Sequence, residues 1–315
     1  MNLAHLHLLL NHVPTAAFAV GLGLFLGAMI RKDDSLMRVS LGVLAAIALL
    51  AVVVYQTGMA ARELIEQLPG VSKTAMDAHE DAALPAFVMM EITGAVAWLG
   101  LWQSRRFSRP TRGNVWTVLV LSLLTFASMA RTANLGGEIR HPEIVAAQAP
   151  GSESADAGQT GWFHVERIKA VVREVSWIWP AAEAVHFIGL CLSFGVVLLL
   201  NLRMLGMMKA IPFAVLHRLL PWGLLGFGIN LVTGMLFFIA AAQQYTTNVS
   251  FHWKTLLIML SGVSLLYFTL VDDAWKVGQG DDAPLTVKVM AASTIGLWVG
   301  VLYFGRMLPY LGNSF

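Results

Sequence analysis

Eight apolar runs dominate the sequence, near residues 8–30, 39–58, 83–103, 114–134, 176–202, 213–242, 253–271 and 286–309. Each is close to the ~20 residues that a helix needs to cross a ~30 Å hydrocarbon layer. Within lipid a backbone must satisfy its own hydrogen bonds, so runs of this kind are read as transmembrane helices. The composition agrees, with 57% hydrophobic and 13% charged residues against the ~25% charged expected of a soluble domain. The expected fold is therefore an all-α integral membrane protein with eight transmembrane helices. No Lys or Arg precedes the first run, whereas Arg31 and Lys32 follow it, so it is expected to be retained rather than cleaved as a signal peptide. The net charge of +2 suggests no nucleic-acid partner.

Basic residues in short loops mark the cytoplasmic side. Arg31, Lys32 and Arg38 follow the first run; Arg105, Arg106, Arg109 and Arg112 the third; Arg203 and Lys209 the fifth; Lys276 and Lys288 the seventh. All four connections fall on one side, which places both termini outside. For a bacterial inner (cytoplasmic) membrane protein that side is the periplasm. The one long outer connection, residues 135–175, contains the linker-like AAQAPGSESADAGQTG and then WFHVERIKAVVREVSW, whose apolar spacing predicts an interfacial helix. That helix either leads into the fifth span or offers a docking surface. The chain thus divides into a first four-helix bundle (1–134), a periplasmic linker with an interfacial helix (135–175) and a second four-helix bundle (176–315).

Nine histidines are many for a chain of this kind, because ionisable groups in a membrane are costly and usually mark function. His12 lies in the outer part of the first span and His79 at the outer start of the third. His186 lies in the outer half of the fifth and His252 at the outer start of the seventh. The separations are 67 residues from His12 to His79 and 66 from His186 to His252, as expected if the bundles form a parallel repeat. Diagonal helices of a bundle lie ~11–14 Å apart, close to the span that two imidazoles need to hold one iron between them. A bare zinc ion would require three or four protein ligands. The pattern thus points to one or two bis-histidine haems of b type. With a single cysteine, Cys191, and no Cys-x-x-Cys-His, there is nowhere to attach a c-type haem. The alternative for these residues is hydrogen bonding inside a bundle with no ligand at all.

Depth constrains the pairing. At 1.5 Å per residue from the cytoplasmic ends, His186 lies at about 24 Å and His252 at about 30 Å, His12 at about 27 Å and His79 at about 36 Å. His7, at about 35 Å, matches His79 better, so His7 and His12 both stand as partners for it. Arg62, Arg131, Arg173 and Lys254 are on the outer side, where haem propionates would need cations. His217, at the cytoplasmic start of the sixth span, reads as an interfacial residue; His5, His141 and His164 read as solvated. Glu91 and Glu183 are the acidic residues best placed within the membrane, and Asp272, Asp273, Asp281 and Asp282 are expected to be solvated. Glu183-x-x-His186 has the spacing of a di-iron carboxylate motif, but a full site needs a second such motif and two further glutamates. Glycines 21, 23, 27, 189 and 195 suit close approach of a porphyrin or of another helix.

At His7-Leu-Leu-Leu-Asn-His12-Val-Pro14, followed by a small-residue helix and by His79, the first half resembles a family of bacterial four-helix membrane domains with a signature near His-Pro-x-x-x-His-Phe-Pro. Leu8 and Val13 replace the proline and phenylalanine. That family also occurs joined to Rieske iron–sulfur domains, which implies a redox setting. From Trp177 on, PAAEAVHFIGL, LNLRMLG, LPWGLLGFGINLVTG and NVSFHWK resemble a second bacterial membrane family, with His186, Arg203, Pro221, Trp222 and Lys254 on its motif positions. The function expected is that of a cytochrome b-like electron-transfer subunit of an oxidoreductase complex. It would pass electrons between the quinone pool, with quinone itself a possible ligand, and a periplasmic redox protein or other subunits of a respiratory complex. A proton-coupled transporter or channel, and a membrane anchor without cofactor, are the alternatives.

Overall fold

The computed structural model describes residues 3–66, 71–140, 164–270, 272–308 and 310. It is 87% helical, without strands among the described residues. Eight helical segments are long and apolar enough to cross a membrane: Leu3–Arg31, Asp34–Ile65, Lys73–Phe107, Arg112–Ile139, Ile178–Met204, Phe213–Ala240, Val249–Leu270 and Leu285–Met307. The first comprises α1 (Leu3–Leu10) and α2 (His12–Arg31); α3 (Asp34–Ile65), α4 (Lys73–Phe107) and α5 (Arg112–Arg140) follow. A short α6 (Val165–Glu174) precedes α7 (Ile178–Met204), and α8 (Phe213–Leu216) continues through a 3-10 turn into α9 (Leu220–Ala240). α10 (Ala242–Thr246), α11 (Val249–Leu270) and α12 (Leu285–Met307) complete the chain. The multi-pass membrane protein expected from the apolar runs is thus what the chain folds into. Two helices exceed the bilayer: α3, with 32 residues, and α4, with 35, are about 48 and 52 Å long.

The chain forms two compact units, residues 1–97 with 112–170 and residues 98–111 with 171–315. In the first, Phe18, Phe25, Leu41 and Leu44 are fully buried between α2 and α3. With lipid as apolar as any side chain, such helices associate by close packing rather than by expelling water. Gly21 allows it: a β-carbon there would meet Leu44 and Val43 at 3.2 Å. On α4, Gly94 lies against the Ala48 methyl of α3 so closely that a side chain has no room. Hydroxyl and amide groups tie α4 to α5, through Thr93 and Thr125 (2.9 Å) and from Asn114 Nδ2 to the Val96 carbonyl (3.0 Å). The connection between α2 and α3 is tightened by Asp33, whose carboxylate caps α3 by accepting from the amides of Ser35 and Leu36. Near the C-terminal end of α3, Arg62 forms ion pairs with Asp77, at 2.5 Å, and with Glu80 of α4.

α6 lies where an interfacial helix is expected, with Val165 and Val172 buried and Glu166, Arg167, Arg173 and Glu174 exposed. Its start is held by Asp81 of α4, which accepts from the Val165 amide (2.9 Å) and from His164 Nδ1 (3.1 Å). His164 is therefore not a free surface histidine. Its neighbour Glu166 is held below the usual carboxylate range, chiefly by its hydrogen bond from Lys169. His141 and the AAQAPGSESADAGQTG stretch lie outside the described residues.

In the second unit α7 and α9 approach through Gly189 and Gly226, where any β-carbon would strike opposing backbone within 3.0 Å. Gly189 thus serves helix packing rather than a porphyrin, while Gly23 and Gly195 face open space. Arg203, fully buried at the end of α7, gives its guanidinium to the carbonyls of Ile211 (2.5 Å), Gly278 (2.7 Å) and Asp281 (3.3 Å). One cation thereby clasps the connections that follow α7 and α11 to the core formed by Leu200, Met204, Phe213 and Val287. His217, expected to be interfacial, is enclosed by protein side chains. It is 1% exposed, packed between Phe213 and Trp275, because the turn that carries it folds inward under Trp102, whose indole donates to the His217 carbonyl (2.8 Å). Nor are the loop aspartates simply solvated: Asp282 is bridged to Lys209 (2.8 Å) and Lys288 (3.2 Å), and Asp281 accepts from the Gly278 amide. Those two lysines hold the Asp282 carboxyl below the usual carboxylate range.

Candidate functional site

In the first unit His7 projects from α1 onto α3. Its Nδ1 lies 3.1 Å from the Val54 carbonyl and 3.4 Å from the Thr57 hydroxyl. A carbonyl can only accept, so Nδ1 carries the proton and, in the neutral ring, Nε2 keeps its lone pair. The ring lies over Gly58, where a β-carbon would come within 3.0 Å of Cε1. His79 repeats the arrangement one hairpin later. Its Nδ1 donates to the Thr132 carbonyl of α5 (3.0 Å), and a β-carbon at Gly136 would meet its Cε1 at 3.1 Å. Thr132 is itself tied to α4, its hydroxyl bonding to the Ala82 carbonyl (3.0 Å). His7 is within electrostatic reach of both His79 and His12. His12, at the start of α2, is exposed.

In the second unit His186 of α7 places Nδ1 2.7 Å from the Thr233 hydroxyl of α9. With the hydroxyl hydrogen on the Ile229 carbonyl, also 2.7 Å away, the oxygen accepts from Nδ1 and that tautomer again leaves Nε2 free. Gly234 lies under the ring with its imagined β-carbon 3.6 Å from Cε1, an ordinary contact. Phe237 lies 5.9 Å from the imidazole, and Trp179 packs on Phe237 at 4.8 Å. Among the described residues, the buried Nε2 of His252 on α11 has no hydrogen-bond partner.

Three imidazoles thus share one local design: an odd-numbered span supplies the ring, and the following span supplies an oxygen for Nδ1 and a glycine beneath the ring. In this respect the residue that matches His186 is His7. The oxygens and glycines escape a search for ligands because Thr and Gly are ordinary inside spans. The one sequence signal is the dipeptide Thr57-Gly58, which returns 176 residues later as Thr233-Gly234.

The cations proposed for propionates differ in their freedom. Arg62 is engaged by Asp77 and Glu80, and Arg173 donates Nε to the Ala240 carbonyl (2.6 Å). Arg131 is exposed on α5. Lys254 lies within electrostatic reach of His186. Of the acidic residues, Glu91 has one buried carboxyl oxygen without a partner among the described residues, and Glu183 is exposed. Glu183 lies within electrostatic reach of Tyr245, whose hydroxyl is pushed up to about 12, first by burial and then by that charge. Among the described residues no three His, Cys, Asp or Glu side chains converge to hold a metal ion. Comparison with family models, curated proteins and solved structures finds no match.

Proposed function

We propose that the protein is a b-type cytochrome-like electron-transfer subunit that holds haem by imidazole Nε2 atoms, at His7 and His79 in the first unit and at His186 with His252 in the second. The observation that carries this reading is the shared anchoring of Nδ1. A metal-ligating histidine nearly always donates its other ring N–H to an oxygen, which fixes its tautomer and its aim. His7, His79 and His186 each do so. A porphyrin supplies four of the six iron ligands itself, so one or two imidazoles suffice where a bare ion would need more protein groups. What supports the reading is the donor set: the anchored imidazoles of His7, His79 and His186, glycines that leave room for those rings, and the Nε2 of His252, unpartnered among the described residues. When bound, haem supplies one-electron chemistry. The protein orients the imidazoles and sets the potential through Nδ1 bonding and burial.

The reading extends to the two halves as a parallel repeat of four-helix bundles, with both termini in the periplasm of a bacterial inner-membrane protein. Electrons then pass between quinone and a periplasmic redox partner near the outer surface. The redox setting of the family that the first half resembles adds to this reading. The test is an absorption spectrum of protein expressed with ample haem, oxidised and then dithionite-reduced. A Soret band and a sharp reduced band near 560 nm are expected of coordinated b haem. Absence of both refutes the cytochrome reading. With two haems present, His79→Ala and His186→Ala should each remove one.

A further inference from the structure

The imidazoles account for the centre of a ligand; Lys254 bears on its edge. Lys254 lies two residues beyond His252 on α11, inside the span Val249–Leu270. Its stem runs along α12 beside Gly305, where a β-carbon would lie 3.7 Å from both Cε and Nζ. The ammonium is within electrostatic reach of the His186 ring. Among the described residues it makes no hydrogen bond and no ion pair. Arg173 of the same unit, by contrast, is bound to a backbone carbonyl. An ammonium placed within an apolar span without a counter-charge is costly, and a charge-assisted bond to an oxyanion removes that cost.

We propose that Lys254 receives a carboxylate of the ligand held at His186, so that the second unit takes an iron porphyrin through two points, a ring nitrogen at the metal and an ammonium at an acidic side group. This assignment rests on the haem reading above and adds to it the requirement that the porphyrin be acidic.

The experiment uses the full chain carrying His79→Ala, so that the first unit does not contribute, in discs of zwitterionic lipid. Iron protoporphyrin IX and its dimethyl ester are titrated separately, and binding is followed by the Soret band. With Lys254 present the diacid should bind about tenfold more tightly than the diester. Lys254→Met should abolish that preference and Lys254→Arg should retain it. Equal binding of diacid and diester to the Lys254 protein overturns the proposal while leaving the haem reading intact, and it requires no substitution at Lys254. A preference that survives in Lys254→Met overturns it as well. If Lys254→Met instead abolishes thermal stabilisation by phosphatidylglycerol while the porphyrin preference persists, the lysine serves a lipid phosphate and the proposal fails. Binding of neither porphyrin, in a chain with His79 restored as well, refutes the haem reading itself.

Discussion

His186 Nδ1 lies 2.7 Å from the Thr233 hydroxyl, which is also 2.7 Å from the Ile229 carbonyl. With the hydroxyl hydrogen on that carbonyl, the imidazole faces an acceptor. An acceptor at Nδ1 makes the ring a more basic ligand and favours ferric over ferrous iron. Thr233→Val keeps the shape but removes the acceptor. The reduction potential assigned to the second unit should rise by on the order of 30 mV, about a threefold change in the one-electron equilibrium. Thr233→Ser should restore it. Potentiometric titration of the reduced α band reads both.

The glycines under the rings make a graded set. A β-carbon at Gly58 or Gly136 would approach His7 or His79 to 3.0 and 3.1 Å, whereas one at Gly234 meets His186 at 3.6 Å. Gly58→Ala and Gly136→Ala should tilt the imidazole and reduce haem content in the first unit about tenfold or more, the range seen when outer partners of metal ligands are lost. Gly234→Ala should leave the second haem in place. Haem-to-protein stoichiometry distinguishes the three variants.

Arg203 is fully buried and bound to carbonyls on two connections. Bonds to a charged group contribute about 1.5–3 kcal/mol each. Arg203→Ala should lower stability by about 3 kcal/mol or more, and Arg203→Lys should recover little, because one ammonium cannot span both connections. Thermal unfolding in detergent micelles checks this, with loss of near-ultraviolet ellipticity at the core aromatics as the readout.

Asp282 has a pKa depressed by Lys209 and Lys288. Its contribution is therefore present above the ordinary carboxylate pKa and is lost as pH falls through the lower, folded value. Asp282→Asn should be less stable than the parent at neutral pH, and the two should converge in strong acid. Being exposed, the bridge should also weaken with salt. Melting curves across pH 3 to 7 at two ionic strengths test the sign.

The eight spans were legible because apolar length is what a bilayer selects, and the histidines stood out against that background. What surrounds each histidine was not. Thr57, Thr132, Gly58 and Gly136 acquire their roles from which helix packs on which, and hydropathy carries no such information. The same limit hides the burial of His217. Apolar neighbours such as Phe213 and Trp275 look alike in sequence whether they face lipid or the interior of the fold. His164 reads as solvated in the sequence because its partner, Asp81, is 83 residues away. His7 and His12 could be ranked by depth, and the contact of His7 with Val54 and Gly58 gives it the anchoring that the exposed His12 lacks.

Asp81 follows His79 by two residues on α4 and also holds the Val165 amide. The start of α6 is thus moored to the same helical turn that carries an imidazole. Exchange of the Val165 amide hydrogen then becomes a gauge of that turn: a change in what His79 holds should alter the protection of an amide far along the chain, with no label introduced.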